Sequence, residues 1–413
     1  MKKDKTYASP RVSSQFYFCP FPFVFDSYSG CPQQCRYCFS YFNSLINKAR
    51  FGSDFNDDKR VPDLERLERI ISGKPKNAQE KELCAFTSRR VPIHWGGQSE
   101  PFASFDEEFK IGLQALKIFE KYEYPFIVST KNHRIVEGEY WETLKRCKYK
   151  VVQVSLITDR PELNKIEPNP EIAVERRLDI IEKCAKEGIR VVVRLQPFIP
   201  KFCEKGIEEF IERMGKLGAK AMTIEYLKLP AMMRPELKVA INKLADLLGY
   251  DVIKFYKVYG KKTATDYEIK PEIKKLWIKR VRDLVHKNGM EFYCADNDFR
   301  GLGDNAICCG VGNEEGFQNR NETRTGRIFE LGKSLITIED FDKGFLEEVS
   351  GVWLNQGTAE KSRKTKNMSL RDYFMSAWDN VRSPLSPCKF YANVKFAGKD
   401  KNGHNTYRVI TIK

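Results

Sequence analysis

A chain of 413 residues, 41% hydrophobic and 12% aromatic, has core material for one large catalytic domain and a smaller appendage. No apolar run approaches the roughly 20 residues that cross a bilayer, which excludes a membrane-spanning helix; no fixed-period repeat or low-complexity tract is present, which sets aside solenoids and disordered arrays. The net charge of +15 suits either attraction of a polyanion such as nucleic acid or a merely solvated basic surface. Residues 360–413 carry about half of that excess, with 12 Lys and Arg against 4 Asp and Glu. The N-terminus starts basic but lacks an apolar stretch with a small-residue cleavage site, so no signal peptide is expected. The twelve cysteines are then expected to serve metal or catalysis in a reducing, cytoplasmic setting, with no membrane partner.

Along the chain, short β-branched or aromatic runs lie at Phe21–Asp26, Val91–Trp95, Phe126–Ser129, Val151–Leu156, Ile189–Leu195 and Ala219–Tyr226. Longer stretches of helical period follow, such as Phe105–Lys121, Ile172–Lys186 and Ile207–Leu217. Six strand–helix units predict a parallel sheet, and right-handed crossovers curve it into an α/β fold of the partial (β/α)6 barrel type. Helical patterns around Pro235–Leu248 and Pro271–Asn288 precede a strand-like Met290–Tyr293, and the rhythm stops near residue 315. The expected organisation is an N-terminal extension (1–20), a barrel core (21–230), a helical and cysteine-containing continuation (231–314) and a basic C-terminal α+β extension (315–413). Loops at the strands' C-terminal ends converge on the face where chemistry is expected.

Cys31, Cys35 and Cys38 lie on the loop directly after the first strand. Closely spaced thiolates can wrap one iron–sulfur cluster, and three of them leave one iron of a four-iron cluster open to a small chelating molecule. A structural zinc normally wants four ligands, usually as two close couples, and no second couple stands beside this loop. The spacing of three then two residues, with Tyr37 before the third cysteine, resembles the signature of the radical S-adenosylmethionine (SAM) superfamily. The resemblance implies a 4Fe-4S cluster, SAM bound to its open iron, a one-electron donor such as flavodoxin or ferredoxin, and cleavage of SAM to a 5′-deoxyadenosyl radical.

Later strand ends carry elements in the order this resemblance requires. Gly96, Gly97 and Glu100 end the second strand; glycine lets backbone approach a ligand, and the carboxylate can meet a cationic group. Ser129, Thr130 and Lys131 end the third strand and Ser155 the fourth, and these polar residues could otherwise simply cap helices. Together with Ile166-Glu167-Pro168 and Glu175-Arg176-Arg177, they are similar to the spore photoproduct lyase branch and its DNA-repair-photolyase-like relatives over roughly residues 20–230. The resemblance implies SAM contacts from Gly96, Glu100, Ser129 or Thr130, Lys131 and Ser155, with Arg177 toward the SAM carboxylate. Arg194 and Gln196 end the fifth strand, where they suit the lining of a substrate pocket and Arg194 equally suits a structural ion pair. Lyases of that branch carry a hydrogen-donating cysteine in the segment where this chain has Gly97, so the resemblance bears on radical chemistry rather than on substrate.

A second group, Cys294, Cys308 and Cys309, resembles half of the auxiliary-cluster motif of SPASM and twitch enzymes. Completed by Cys388 or Cys203 it would hold a second iron–sulfur cluster or a zinc; otherwise these are free thiols. Cys203 follows the fifth strand and is either a hydrogen donor or a packed thiol, while Cys19, Cys147 and Cys184 are expected to pack. In the tail, Lys361, Arg363, Lys364, Lys366, Arg371 and Arg382 accompany Tyr373, Phe374, Trp378, Phe390 and Tyr391. That mixture suits base stacking on nucleic acid or a small domain with an aromatic core. Three functions follow: hydrogen abstraction from a nucleic-acid base or sugar, peptide modification with an auxiliary cluster, and a non-catalytic metal-containing nucleic-acid-binding protein.

Overall fold

The computed structural model describes residues 6–7, 9–13, 15–46, 54–263, 265–305, 307–341, 349, 368–391 and 393–410. Its centre is a sheet of eight strands: β1 (Arg11–Val12), β2 (Phe23–Phe25), β3 (Ile93–Trp95), β4 (Phe126–Thr130), β5 (Lys150–Ser155), β6 (Arg190–Phe198), β7 (Ala221–Tyr226) and β8 (Glu291–Cys294). Their spatial order follows the chain, and β1 and β8 form the two edges. Strands β2 to β8 are all parallel, whereas β1 runs antiparallel to β2. The fold is therefore an α/β partial barrel. Six of its parallel strands fall where the sequence places them, and β8 adds a seventh: Glu291–Cys294 pairs with Ala221–Ile224 after a long return helix.

Between strands run α1 (Phe39–Ile46), α2 (Leu64–Ile71), α3 (Ala78–Ser88), α4 (Ile111–Lys121), α5 (Gly138–Arg146), α6 (Val174–Lys186), α7 (Ile207–Lys216), α8 (Pro235–Leu248), α9 (Val252–Tyr259) and α10 (Pro271–Lys287). Their local causes are ordinary: Asp63 and Asn77 cap α2 and α3 by accepting from the Arg66 and Glu80 amides, and Val174, Leu178, Ile181 and Cys184 give α6 one buried stripe.

The strand register separates two faces of unlike chemistry. Trp95, Val128 and Val152 align on one face, as do Val193, Met222 and Phe292, and all are fully buried. Trp95 packs against Phe119 of α4 there, so this face carries the helix layer. On the other face Ser129 aligns with Gln153, and Ser155 with Arg194 and Thr223. Because side chains alternate along a strand, this second face is polar along β4 to β7.

Residues 307–311 cross the polar face. The carbonyls of Cys308, Cys309 and Gly310 accept hydrogen bonds from Thr223 Oγ1 (2.8 Å), Gln153 Nε2 (2.5 Å) and Arg190 Nε (3.0 Å). Gly310 sits at φ +68°, where a Cβ would come within 2.4 Å of the Val192 side chain, so glycine permits this approach. Beyond the strap, Asn321 donates its amide to Pro20 and its side chain to the carbonyls of Phe16 and Cys19.

A second core gathers Phe341, Phe374, Trp378, Tyr391 and Tyr407 with Tyr17 and Phe18 from the N-terminal segment. It lies between α11 (Leu370–Trp378) and an antiparallel sheet of β9 (Leu335–Ile336), β10 (Val394–Lys399) and β11 (Asn405–Val409), with β11 central. Phe374, Trp378 and Tyr391 are fully buried, so they build this core and are closed to base stacking. Lys361, Arg363, Lys364 and Lys366 lie outside the described residues. Among the described residues no helix is long and apolar enough to cross a membrane.

Candidate functional site

The cysteine loop leaves the C-terminal end of β2 and is laced to a neighbouring segment. Amides of Ser29, Gly30 and Cys31 donate to carbonyls of Arg60, Asp58 and Phe55, each at 3.0 Å. Cys38 donates its amide to Cys35 O (3.1 Å), and α1 begins at the next residue. Cys35 is buried, and Cys31 and Cys38 are partly so. Burial pushes all three thiols up, Cys35 to about 12, and the neighbouring cysteines add to it for Cys31 and Cys35. Bare thiolates are thus unfavourable together, and a cationic metal group is what would make them favourable. Among the described residues no three metal-binding side chains converge as a single ion requires. A four-iron cluster asks something different, since each thiolate takes a different iron, so three thiols on one loop fit it.

Beside Cys35 stands a buried charge network. Lys131 Nζ lies 3.4 Å from Cys35 Sγ and donates to Tyr37 Oη at 2.8 Å and to Glu167. Tyr37 also donates to Glu167, whose second oxygen pairs with Arg177 Nη2 at 2.6 Å. Burial opposes ionisation of Glu167, yet Arg177 and Lys131 overcome it and hold the carboxyl below its ordinary range. Arg177 is wholly buried and also donates to Ser155 O at 2.9 Å. Its charge is already answered, so a ligand carboxylate would compete with Glu167 for it. Glu167 was in the sequence motif without a role; only the fold shows it between two cations.

Glu100 accepts from Thr130 Oγ1 (2.5 Å) and from the Lys131 amide (2.8 Å), so the ends of β3 and β4 are tied through it. Burial raises its carboxyl to about 7. Gly96, at φ +81°, has the Ser129 carbonyl 2.5 Å from where a Cβ would stand, whereas a Cβ on Gly97 would meet nothing within 4 Å.

Deeper on the polar face, Ser129 Oγ contacts His94 Nε2 (3.1 Å), Gln153 Oε1 (2.6 Å) and Arg194 Nη1 (3.0 Å). Arg194 also donates to Gln196, which donates to Thr223. Burial, and Arg194 after it, lowers His94 to about 4, so this histidine is neutral at pH 7. The adjacent Cys309, followed by Arg300 and Arg194, holds the Cys308 thiol below its ordinary value despite burial. Burial raises Cys19, expected to pack, to about 12, and Cys308 adds to the rise.

The other cysteines are elsewhere. Cys294 aligns with Ile224 on the apolar face, opposite the Thr223 face that binds Cys308, and its Sγ contacts Asp296 O at 3.8 Å. Cys388 bonds Ser386 Oγ in the second core's surroundings, and Cys203 Sγ accepts from the Ile199 amide at 3.1 Å with its thiol raised by burial to about 12.

A parallel partial barrel with a three-thiol loop at its first strand end and buried polar side chains at the next ones fits an iron–sulfur enzyme of the α/β class. Residues 26–214 match the Radical SAM superfamily, so this segment is a radical SAM domain; it marks the protein as an enzyme, and the cofactors of that family are a 4Fe-4S cluster and SAM. Among solved structures, spore photoproduct lyase with bound AdoMet and dinucleoside spore photoproduct shares 13% identity over 66% of this chain and 76% of its own (TM-score 0.46). The same lyase complexed with dinucleoside spore photoproduct shares 15% over 71% and 78% (0.46). SuiB of Streptococcus suis bound to S-adenosylmethionine shares 13% over 66% and 49% (0.41). No curated protein matches the sequence.

Proposed function

We propose that Cys31, Cys35 and Cys38 hold the cluster, and that this enzyme abstracts hydrogen from a base or sugar of nucleic acid placed against the polar face of β4 to β7. The observation carrying the reading is the shared location: the thiol loop and the ends of β3 to β5 meet where Lys131 reaches Cys35. When bound, the reduced cluster and SAM supply a 5′-deoxyadenosyl radical. The chain's own residues bind and orient. Glu100 offers a carboxylate to the SAM ammonium, Gly96 lets backbone come close, and Lys131 holds positive charge beside a cluster thiolate. Ser129, Gln153 and Arg194 present donors and acceptors to a substrate, and His94 stays neutral among them. Flavodoxin or ferredoxin suits the reductant's role.

Nucleic acid is preferred because the net charge of +15 favours a polyanion. The peptide-modifying alternative asks for a metal shared by Cys294 and Cys308, whose strand and strap lie toward opposite faces of the sheet. The test is anaerobic reconstitution with dithionite and SAM, measuring 5′-deoxyadenosine with and without DNA or RNA. Nucleic acid should raise the yield, and Cys35→Ser should abolish it along with cluster iron. Yield no higher than in an unreduced control would sink the radical assignment; absent or salt-insensitive binding of DNA and RNA would sink the substrate.

A further inference from the structure

Arg300, in the turn after β8, is only 7% exposed, yet its Nε and Nη1 are buried without a hydrogen-bond partner. A guanidinium removed from water and left with open donors is unfavourable unless an acceptor arrives. Arg194, on β6, donates to two neutral groups, Ser129 Oγ and Gln196 Oε1. Arg194 aligns with Thr223, whose hydroxyl donates to the Cys308 carbonyl at 2.8 Å, and Cys308 is the thiol on which both arginines act. The acid that acts on both, Glu225, is paired with Lys228 at 2.7 Å. Cys308 can offer at most one negative charge to two guanidiniums. A Cβ on the next residue, Gly301, would come within 3.0 Å of Asn393 Nδ2, so the C-terminal extension reaches this turn.

We propose that Arg300 and Arg194 form an oxyanion-binding subsite on the barrel's polar face, taking a phosphate or carboxylate group of the substrate. Two planar donor forks suit an acceptor with several oxygens, and a charged partner answers the open Nε and Nη1 as a neutral one would not. The inference rests on the reading that this face is the substrate chamber, and it adds what the substrate must carry: an anionic group held at a fixed distance from the reacting carbon. A nucleic acid would supply phosphate, a peptide or metabolite a carboxylate.

The test uses the full-length reconstituted protein with inorganic phosphate and malonate as probes, chloride as control, at constant ionic strength. Calorimetric titration should show saturable binding of one probe, phosphate if the source is a nucleotide and malonate if it is a carboxylate. Arg300→Gln should weaken it at least tenfold, and Arg300→Lys less. Equal affinity in wild type and Arg300→Gln, or no binding of either probe beyond chloride, overturns the proposal. Should the variants fail to fold, modification of Arg300 by phenylglyoxal in the wild type, followed by mass spectrometry, decides: phosphate or malonate slows it if the subsite exists, and unchanged modification overturns the idea. Wild-type 5′-deoxyadenosine formation is measured separately. Its absence counts against the radical assignment alone, whereas normal formation with no anion binding counts against this subsite alone.

Discussion

Glu100 carries a stability signature that can be read without any cofactor. Burial raises its carboxyl from the ordinary 4.5 to about 7, and the sign follows directly. Between those values the unfolded chain has released the proton while the folded chain keeps it, so stability falls as pH rises, and the loss is complete above about 7. At about 1.4 kcal/mol per pH unit the loss amounts to roughly 3 kcal/mol. In Glu100→Gln this dependence is gone, although the bonds from Thr130 and Lys131 change too and shift both curves by a constant. The expected observation is that the variant's stability relative to wild type grows by roughly 3 kcal/mol from pH 4.5 to 7 and then levels. Urea unfolding of metal-free protein under anaerobic, reducing conditions measures it. A difference that stays flat through that window refutes the reasoning. A SAM ammonium beside Glu100 would pull the carboxyl back down, so SAM affinity should fall below pH 7 in wild type and not in the variant.

Gly97→Cys should leave thermal stability near wild type, since its Cβ enters open space, whereas Gly96→Ala, strained at positive φ against the Ser129 carbonyl, should cost about 1–3 kcal/mol. Arg177→Met leaves Glu167 with Lys131 and Tyr37 alone and should destabilise by about 1–3 kcal/mol in urea unfolding; adding Glu167→Gln should recover part of that, and a lack of recovery would show that the pair is not the cause. Trp378→Ala empties the centre of the second core and should cost about 3–5 kcal/mol, seen as early melting of the C-terminal extension by limited proteolysis.

Much of this architecture is written in local patterns. Buried runs such as Phe126–Thr130 and Val151–Val154 announce parallel strands because both faces are covered, and three cysteines in one loop announce a cluster because spacing alone brings them together. The polar chamber was legible too, in principle. Gln153 and Ser155, Arg194 and Gln196, Thr223 and Glu225 stand two apart along their strands, a period that puts each pair on one face. What stayed hidden depends on contacts between distant segments. Nothing local pairs Cys19 with Cys308, assigns Glu167 to both Lys131 and Arg177, or says that register turns Cys294 away from Cys308. The tail aromatics were ambiguous for the same reason, because only packing against Tyr17 and Phe18 decides that they face inward.

The clasp between the chain's early and late segments has a consequence for how the enzyme is made. Asn321 and Thr325 bond to Phe16, Cys19 and Tyr17 across sequence separations of 302 to 308 residues. Such remote contacts are the slow ones to form, because the intervening chain must first be ordered. The strands can pair as they leave the ribosome, and Thr223, Gln153 and Arg190 then hold the strap bearing Cys308, but the segment beyond it is fastened only once residue 325 has met residue 17. A fusion or deletion at the first 20 residues would therefore loosen the chain just past the chamber's strap, from the far end of the sequence.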